Sequence, residues 1–142
     1  MPAPLFLLLA VSWAGEAFGS WKLNPARSTL VANEKSVTLR VEPHTHGEVF
    51  TLETVTSDGR ALTSSTILYF DGKARDFQDS ACSGTQSSRR LDFRTVEILR
   101  ECAGGGQIRL VRRAVHSGLL TLEITEQRDG RRSESRLVLE KR

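Results

Sequence analysis

The chain has 142 residues, of which 39% are hydrophobic, and its 20 basic and 17 acidic residues give a net charge of +3. This length suits one domain with a hydrophobic core of its own. The paired arginines at 89/90, 112/113 and 131/132 are dispersed among acidic residues, whereas phosphate binding favours a concentrated basic patch. Composition and charge therefore argue against a nucleic-acid-binding protein.

The N-terminal segment has the layout of a secretory signal peptide. Residues 5–14 read LFLLLAVSWA and are followed by GEAFG, in which most residues are small. The apolar run is too short to span a bilayer, so no stable membrane insertion is expected. Cleavage can follow Ala14, Ala17 or Gly19, and the last two positions are favoured. We therefore predict a signal peptide at residues 1–19, a single domain at residues 20–142, and a secreted or periplasmic location.

The chain contains two cysteines, Cys82 and Cys102. An even number of cysteines in a chain that reaches an oxidising compartment predicts one disulfide. Two unpaired thiols remain the alternative, because spacing alone does not show that the two Cα atoms come close enough.

Short runs of alternating apolar and polar residues follow one another from residue 36 onward. In residues 36–42, for example, Val37, Leu39 and Val41 share one face. Such runs predict strands at 36–42, 47–56, 61–70, 90–93, 95–102, 107–115, 119–127 and 131–140. Residues 73–79 are a candidate short strand, and the composition of residues 80–88 predicts a loop.

The predicted strands are joined mostly by tight turns, several of which contain Asp-Gly. Tight turns make sequential strands antiparallel neighbours, and a meander of eight to ten strands removes its edges by closing on itself. We therefore predict an all-β protein, a single up-and-down antiparallel β-barrel. A two-sheet sandwich is the main rival. A short helical turn is expected at residues 24–28, where Asn24 can cap and Pro25 suits the first helical position.

The stretch Gly19-Ser20-Trp21-Lys22-Leu23-Asn24, followed by Arg27-Ser28, resembles the start of bacterial secreted lipocalin-like proteins. In the lipocalin and fatty-acid-binding superfamily a Gly-x-Trp motif places the tryptophan across the closed end of the barrel. The resemblance implies structural roles for Gly19 and Trp21, with Arg136 of the last strand, or else Arg132 or Arg131, covering the ring. Otherwise Trp21 is simply a large core residue.

Inward-facing arginines are the candidate ligand-binding residues. Both faces of residues 107–115 carry an arginine, and the apolar face of Val96 and Ile98 continues into Arg100. Fatty-acid-binding relatives hold a ligand carboxylate with inward arginines. The resemblance therefore implies Arg100 and Arg112 as anion anchors, with the Tyr69 hydroxyl as an additional contact. The alternative is that both arginines lie at the rim or pair with acidic neighbours.

Two histidines, His44 and His46, form the strongest metal-ligating pattern, with Glu42 or Glu48 as an oxygen ligand. Residues two apart share a face of a strand and can ligate one ion, yet a zinc site needs three or four ligands. Pro43 and Gly47 favour a solvated hairpin turn instead. We therefore expect no bound metal.

No catalytic motif is present: there is no Gly-x-Ser-x-Gly, no His-Glu-x-x-His and no Walker loop. We expect a non-enzymatic monomer without a cofactor. The predicted function is an exported lipocalin-like protein that binds a small hydrophobic molecule, an anionic one included, in its cavity. The alternative is a periplasmic or secreted interaction or inhibitor module that acts through its outer surface and the long loop around Cys82.

Overall fold

The computed structural model describes residues 17–30 and 34–142. These residues form ten β-strands and one short 3₁₀ turn, Pro25–Arg27. The strands, numbered in chain order, are β1 (Gly19–Leu23), β2 (Glu34–His44), β3 (Gly47–Thr56), β4 (Ala61–Leu68), β5 (Arg75–Gln78), β6 (Ser83–Asp92), β7 (Thr95–Cys102), β8 (Gly106–His116), β9 (Leu119–Arg128) and β10 (Arg131–Lys141). Residues 1–16 of the predicted signal peptide lie outside the described residues.

All ten strands belong to one antiparallel sheet with the order β4-β3-β2-β1-β10-β9-β8-β7-β6-β5. Chain neighbours pair in sequence on each side, and β1 joins the two halves by pairing with both β2 and β10. The sheet curls into a nearly closed barrel. The predicted all-β, up-and-down antiparallel barrel is therefore confirmed.

Alternating hydrophobicity and turn chemistry account for this architecture. The inward residues Val37, Leu39 and Val41 of β2 are all at most 1% exposed. At the β9–β10 turn, Asp129 and Gly130 have φ angles of 54° and 74°. A type I′ hairpin turn needs positive φ at both central residues, which Asp-Gly tolerates well. Sequential pairing therefore follows from the local sequence.

The sheet stays open between β4 and β5, where side chains replace a backbone ladder. Ser64 Oγ donates to Asp79 Oδ2 at 3.1 Å, and Gln86 Nε2 donates to Thr66 Oγ1 at 2.9 Å. Further along, the backbone N–H of Gly72 donates to the carbonyl of Ser88 at 2.9 Å. Hydrogen bonds thus hold the two edges together across the gap.

One predicted element is wrong. Residues 80–88 were expected to form a loop, but β6 begins at Ser83, and the link after β5 is only residues 79–82. Gln86 and Ser88 on this strand are buried and point into the barrel. Because these inward residues are polar, the strand does not show the alternation of apolar and polar residues that predicted the other strands. The long loop around Cys82, which was one of the two contact surfaces expected for an interaction module, is therefore not present.

The expected helical turn and the disulfide are both found. Asn24 caps the 3₁₀ turn by accepting from the N–H of Ala26 at 3.1 Å. Cys82 and Cys102 are bonded, with their Cα atoms 5.1 Å apart. The disulfide joins the β5–β6 link to the end of β7. Within the described residues, no helix is long and apolar enough to cross a bilayer.

Trp21 is completely buried, but the side chain above its ring differs from the prediction. The Nε1–H donates to the carbonyl of Ala17 at 2.9 Å, and Lys141 Nζ lies 5.0 Å from the ring centroid. Arg136 is exposed, because β10 turns Leu137 and Leu139 inward and Arg136 outward. The covering cation is therefore Lys141, which is opposite Trp21 in the β1–β10 register.

Candidate functional site

The barrel interior divides into two halves of different character. The closed half lies at the end where β1 begins and β10 ends, and large buried side chains fill it. They include Trp21, Leu39, Phe50, Leu68, Leu120, Leu122 and Leu139, each with no more than 1% exposure. The open half lies at the opposite end, beneath the β3–β4, β7–β8 and β9–β10 turns. Any ligand must enter through the open half.

A cavity of about 300 Å³ occupies the open half. This volume is at the lower end of the range for small-molecule sites. Its apolar wall consists of Leu52, Leu62, Ile108, Leu110 and Ile124. Polar residues, including Thr54, Ser64, Asp79, Arg100 and Glu126, complete the lining. The cavity thus combines an apolar wall with a small number of charged groups.

Arg100 is the buried cation of this cavity. Its residue is 6% exposed, its guanidinium carbon lies 4.2 Å from the Phe77 ring centroid, and its Nε–H donates to Gln86 Oε1 at 2.9 Å. No other hydrogen bond from Arg100 to a described residue is present. Because a guanidinium has several N–H donors in a fork that matches a carboxylate, most of its hydrogen-bonding capacity is unused.

The nearest carboxylate, Asp79, is committed elsewhere. Asp79 Oδ1 accepts from the N–H groups of Ala81 and Cys82 at 2.9 and 2.8 Å. Asp79 Oδ2 accepts from Ser64 and is 3.8 Å from Arg100 Nη1, beyond hydrogen-bond distance. Burial lowers the pKa of Arg100, and the charge of Asp79 opposes that change. The guanidinium nevertheless stays protonated, because arginine side chains are not deprotonated in proteins.

Arg112, the second predicted anchor, lies in the closed half. It is 2% exposed, and its Nη2–H donates to Glu48 Oε2 at 2.8 Å. Arg90 reaches the other oxygen of Glu48 at 3.3 Å, and Arg112 Nη1 has no partner among the described residues. Burial lowers the pKa of Arg112, and Glu48 opposes this. Arg112 does not line the cavity.

The structure does not bring the two predicted anchors together. Arg100 is opposite Ile108 in the β7–β8 register, and Arg112 is four residues further along the same face of β8. Four residues of strand correspond to about 13 Å. The two arginines therefore belong to separate polar clusters.

Tyr69, predicted to add a hydroxyl, is not in the cavity. It lines a separate cleft of about 220 Å³ beside the gap between β4 and the pair β5–β6. The Arg75 guanidinium lies 3.8 Å from its ring centroid, and the His46 ring is 6.4 Å away. Its contacts are therefore with surface residues.

The histidine pair lies at the two-residue β2–β3 turn. The ring centroids of His44 and His46 are 5.8 Å apart, and His44 Nδ1 accepts from the backbone N–H of His46 at 3.0 Å. Glu48, a suggested oxygen ligand, instead points inward to Arg112. Within residues 17–30 and 34–142, no group of three or more His, Cys, Asp or Glu side chains could hold a metal ion.

Comparison with known proteins supports the architecture. No protein-family model matches the chain, and no curated protein matches it in sequence. Its structure is similar to that of the Schistosoma mansoni fatty acid binding protein in complex with arachidonic acid, with a TM-score of 0.62. The match covers 91% of this chain and 98% of that protein at 11% sequence identity. The chain has the fatty-acid-binding-protein fold.

Sequence reasoning missed the residues that position Arg100. Gln86 lies in the stretch taken for a loop, and Asp79 follows the short strand β5. The available signal was the period-two series Gly84, Gln86, Ser88, Arg90, which places small and polar residues on one face. A polar inward face is what a strand beside a charged cavity requires.

Proposed function

We propose that this chain is an exported lipocalin-like carrier that binds a small hydrophobic molecule with an anionic group in the open half of its barrel. The anionic group is held by Arg100, and the hydrophobic part lies against the apolar wall formed by Leu52, Ile108 and Ile124. The observation that carries the proposal is a buried guanidinium that lines a cavity and uses one hydrogen bond among the described residues.

The energetics favour an anionic ligand. A buried charge without a full set of partners is costly, and a charge-assisted pair with a ligand would offset that cost. Gln86 supports this role, because it accepts from Nε and leaves the outer fork of the guanidinium available. Arg112 is not an anchor in this proposal, since its guanidinium pairs with Glu48 below the cavity.

Export is part of the proposal and has two supports. The N-terminal apolar run has the layout of a signal peptide. The Cys82–Cys102 disulfide is of the kind that persists in oxidising compartments. Cell fractionation with an antibody against the folded domain tests this location directly. Retention in a reducing cytoplasm would contradict it.

The binding role is tested by removing the charge of Arg100 while keeping its bulk. Calorimetric titration with octanoate should give an affinity about 10- to 100-fold lower for Arg100→Met than for the parent chain, because a hydrogen-bonded charge contributes about 1.5–3 kcal/mol. Octanol, which lacks the carboxylate, should bind both proteins equally.

Arg113→Met is the matched control, because Arg113 is exposed on the outer face of β8. It should bind octanoate as the parent does. Equal octanoate affinities for the parent chain and Arg100→Met would contradict the proposed anchor. No binding of any amphiphile to the folded parent would contradict the carrier function itself.

A further inference from the structure

The dimensions of the cavity restrict the ligand more narrowly than the fold does. Leu110 is 2% exposed and lines the cavity at its inner end. On the same face of β8, the next inward residue is Arg112, which is sealed in its salt bridge with Glu48. A ligand cannot extend past this level without displacing buried side chains. The closed half therefore provides a solid floor.

The distance from the anion anchor to this floor is short. Arg100 is opposite Ile108, and the next inward pair along β7 and β8 is Ile98 opposite Leu110. One such step is two residues, or about 7 Å of strand. An extended acyl chain whose carboxylate is on Arg100 thus reaches the floor after a few methylene groups.

The volume leads to the same limit. The cavity, about 300 Å³, lies at the lower end of the range for sites that hold small molecules. The site therefore encloses the carboxylate and only the first part of an acyl chain. The remainder of a longer chain would extend through the mouth, past Thr54, Thr56 and Glu126, into water.

We infer that the ligand class of this site is a compact amphiphilic acid, either a medium-chain alkanoate or a ring-bearing carboxylic acid of similar bulk, and not a long-chain fatty acid. This inference rests on the proposed function. Arg100 binds the carboxylate, and the pocket formed by Leu52, Leu110 and Ile124 encloses a short apolar group. Selectivity by length then follows from the floor and from the small volume above it.

Calorimetric titration of the full chain with a homologous series from hexanoate to palmitate, each below its micelle concentration, tests this inference. Each buried methylene raises affinity by about fourfold. We expect this increase up to about octanoate and a constant affinity beyond it. A fourfold increase that continues through palmitate would overturn the inference while leaving the carrier function intact. No binding at any chain length would overturn both.

A floor variant supplies a second readout. Leu110→Ala removes bulk from the inner end of the cavity, so the chain length at which affinity stops rising should increase. Leu122→Ala is the matched control, because Leu122 is equally buried but does not line the cavity. If Leu110→Ala does not fold, Ile124→Ala on the half-buried wall takes its place. An unchanged limiting length in a folded cavity variant would contradict the inference.

Discussion

Two arginines on one barrel surface, Arg100 and Arg112, have opposite electrostatic arrangements. Arg112 has a carboxylate at 2.8 Å and does not border the cavity. Arg100 borders the cavity, and its nearest carboxylate is 3.8 Å away. Since a buried guanidinium needs a counter-charge, the direct pair with Glu48 neutralises Arg112 and stabilises the floor, although Arg112 Nη1 has no hydrogen-bond partner among the described residues. The arrangement at Arg100 leaves room for a partner that enters from solution.

Replacing Glu48 with Gln should destabilise the closed half. The change leaves Arg112 charged and buried without a counter-ion, which costs about 3–5 kcal/mol. Urea unfolding followed by tryptophan fluorescence measures the loss. Glu53→Gln, at an exposed position of the same strand, should change stability by less than about 0.5 kcal/mol. The double variant Glu48→Met/Arg112→Met should be more stable than Glu48→Gln, and the opposite order would contradict this account of the pair.

On the outer face of β7, Glu97 is covered by its neighbours and makes the stability of the fold sensitive to acid. It accepts from Arg89 and Arg109 at 2.8 and 2.7 Å. Burial raises the pKa of Glu97, but these hydrogen bonds outweigh it and leave the pKa below its ordinary value. A depressed carboxyl pKa contributes stability that is present above the unfolded pKa, about 4.3, and is lost as pH falls through the folded value.

Glu97→Gln should therefore lower stability near pH 7 and flatten the dependence of stability on pH below about 4.3. The expected loss is about 1 kcal/mol, because Arg89 and Arg109 are about half-exposed and water screens both pairs. Thermal unfolding from pH 3 to pH 7 measures it, with Glu53→Gln as the reference. A pH profile parallel to that of the parent would refute the role of Glu97.

Strand β6 shows where sequence reasoning fails at the level of elements. The two strands that follow it in the chain, β7 and β8, were predicted because Val96, Ile98, Ile108 and Leu110 alternate with polar residues. The inward face of β6 is instead polar, since Gln86 supports Arg100 and Ser88 accepts from the backbone across the gap. A periodicity of hydrophobicity cannot detect a strand whose inward residues are selected for hydrogen bonding.

The disulfide should stabilise the fold, because it ties the β5–β6 link to the end of β7, the strand that carries Arg100. Cys82 and Cys102 are 20 residues apart, and closing such a loop contributes about 3 kcal/mol. The double variant Cys82→Ser/Cys102→Ser should lose about that much in urea unfolding. The β5–β6 link also carries Asp79. The octanoate affinity of the double variant should therefore fall as well. The parent chain fully reduced with dithiothreitol should match the variant, and unchanged stability in both would contradict the prediction.

For the whole molecule, the order of strands was predictable and the way in which the barrel closes was not. Short turns containing Asp-Gly dictate sequential antiparallel pairing, which gives the meander directly. Closure depends on the pairing of β1 with β10, in which Trp21 is opposite Lys141, a contact between the first and last strands of the described chain. The side-chain contacts across the β4–β5 gap, such as Ser64 with Asp79, likewise join residues that no local pattern connects.

The start of β1 bears on how an exported form of this chain is processed. Ala17 is 7% exposed, and its carbonyl accepts from Trp21 Nε1 at 2.9 Å. The carbonyl of Phe18 accepts from Lys141 Nζ at 2.6 Å. Cleavage after Ala17 would remove the first acceptor, and cleavage after Gly19 would remove both. Cleavage at either of the two positions that the sequence favours, after Ala17 or after Gly19, would therefore weaken the barrel around Trp21.

We expect cleavage after Ala14 instead, with Ser12 and Ala14 as the small residues before the cut. Intact-mass measurement of the exported protein should then give a mature chain that begins at Gly15. Two purified forms provide the control: a chain from Gly15 should be more stable in urea than a chain from Ser20, because only the longer one satisfies the buried indole N–H, worth about 1–3 kcal/mol. A mature N-terminus at Phe18 or Ser20, or equal stability of the two forms, would show that the Ala17 contact does not decide where the chain is cut.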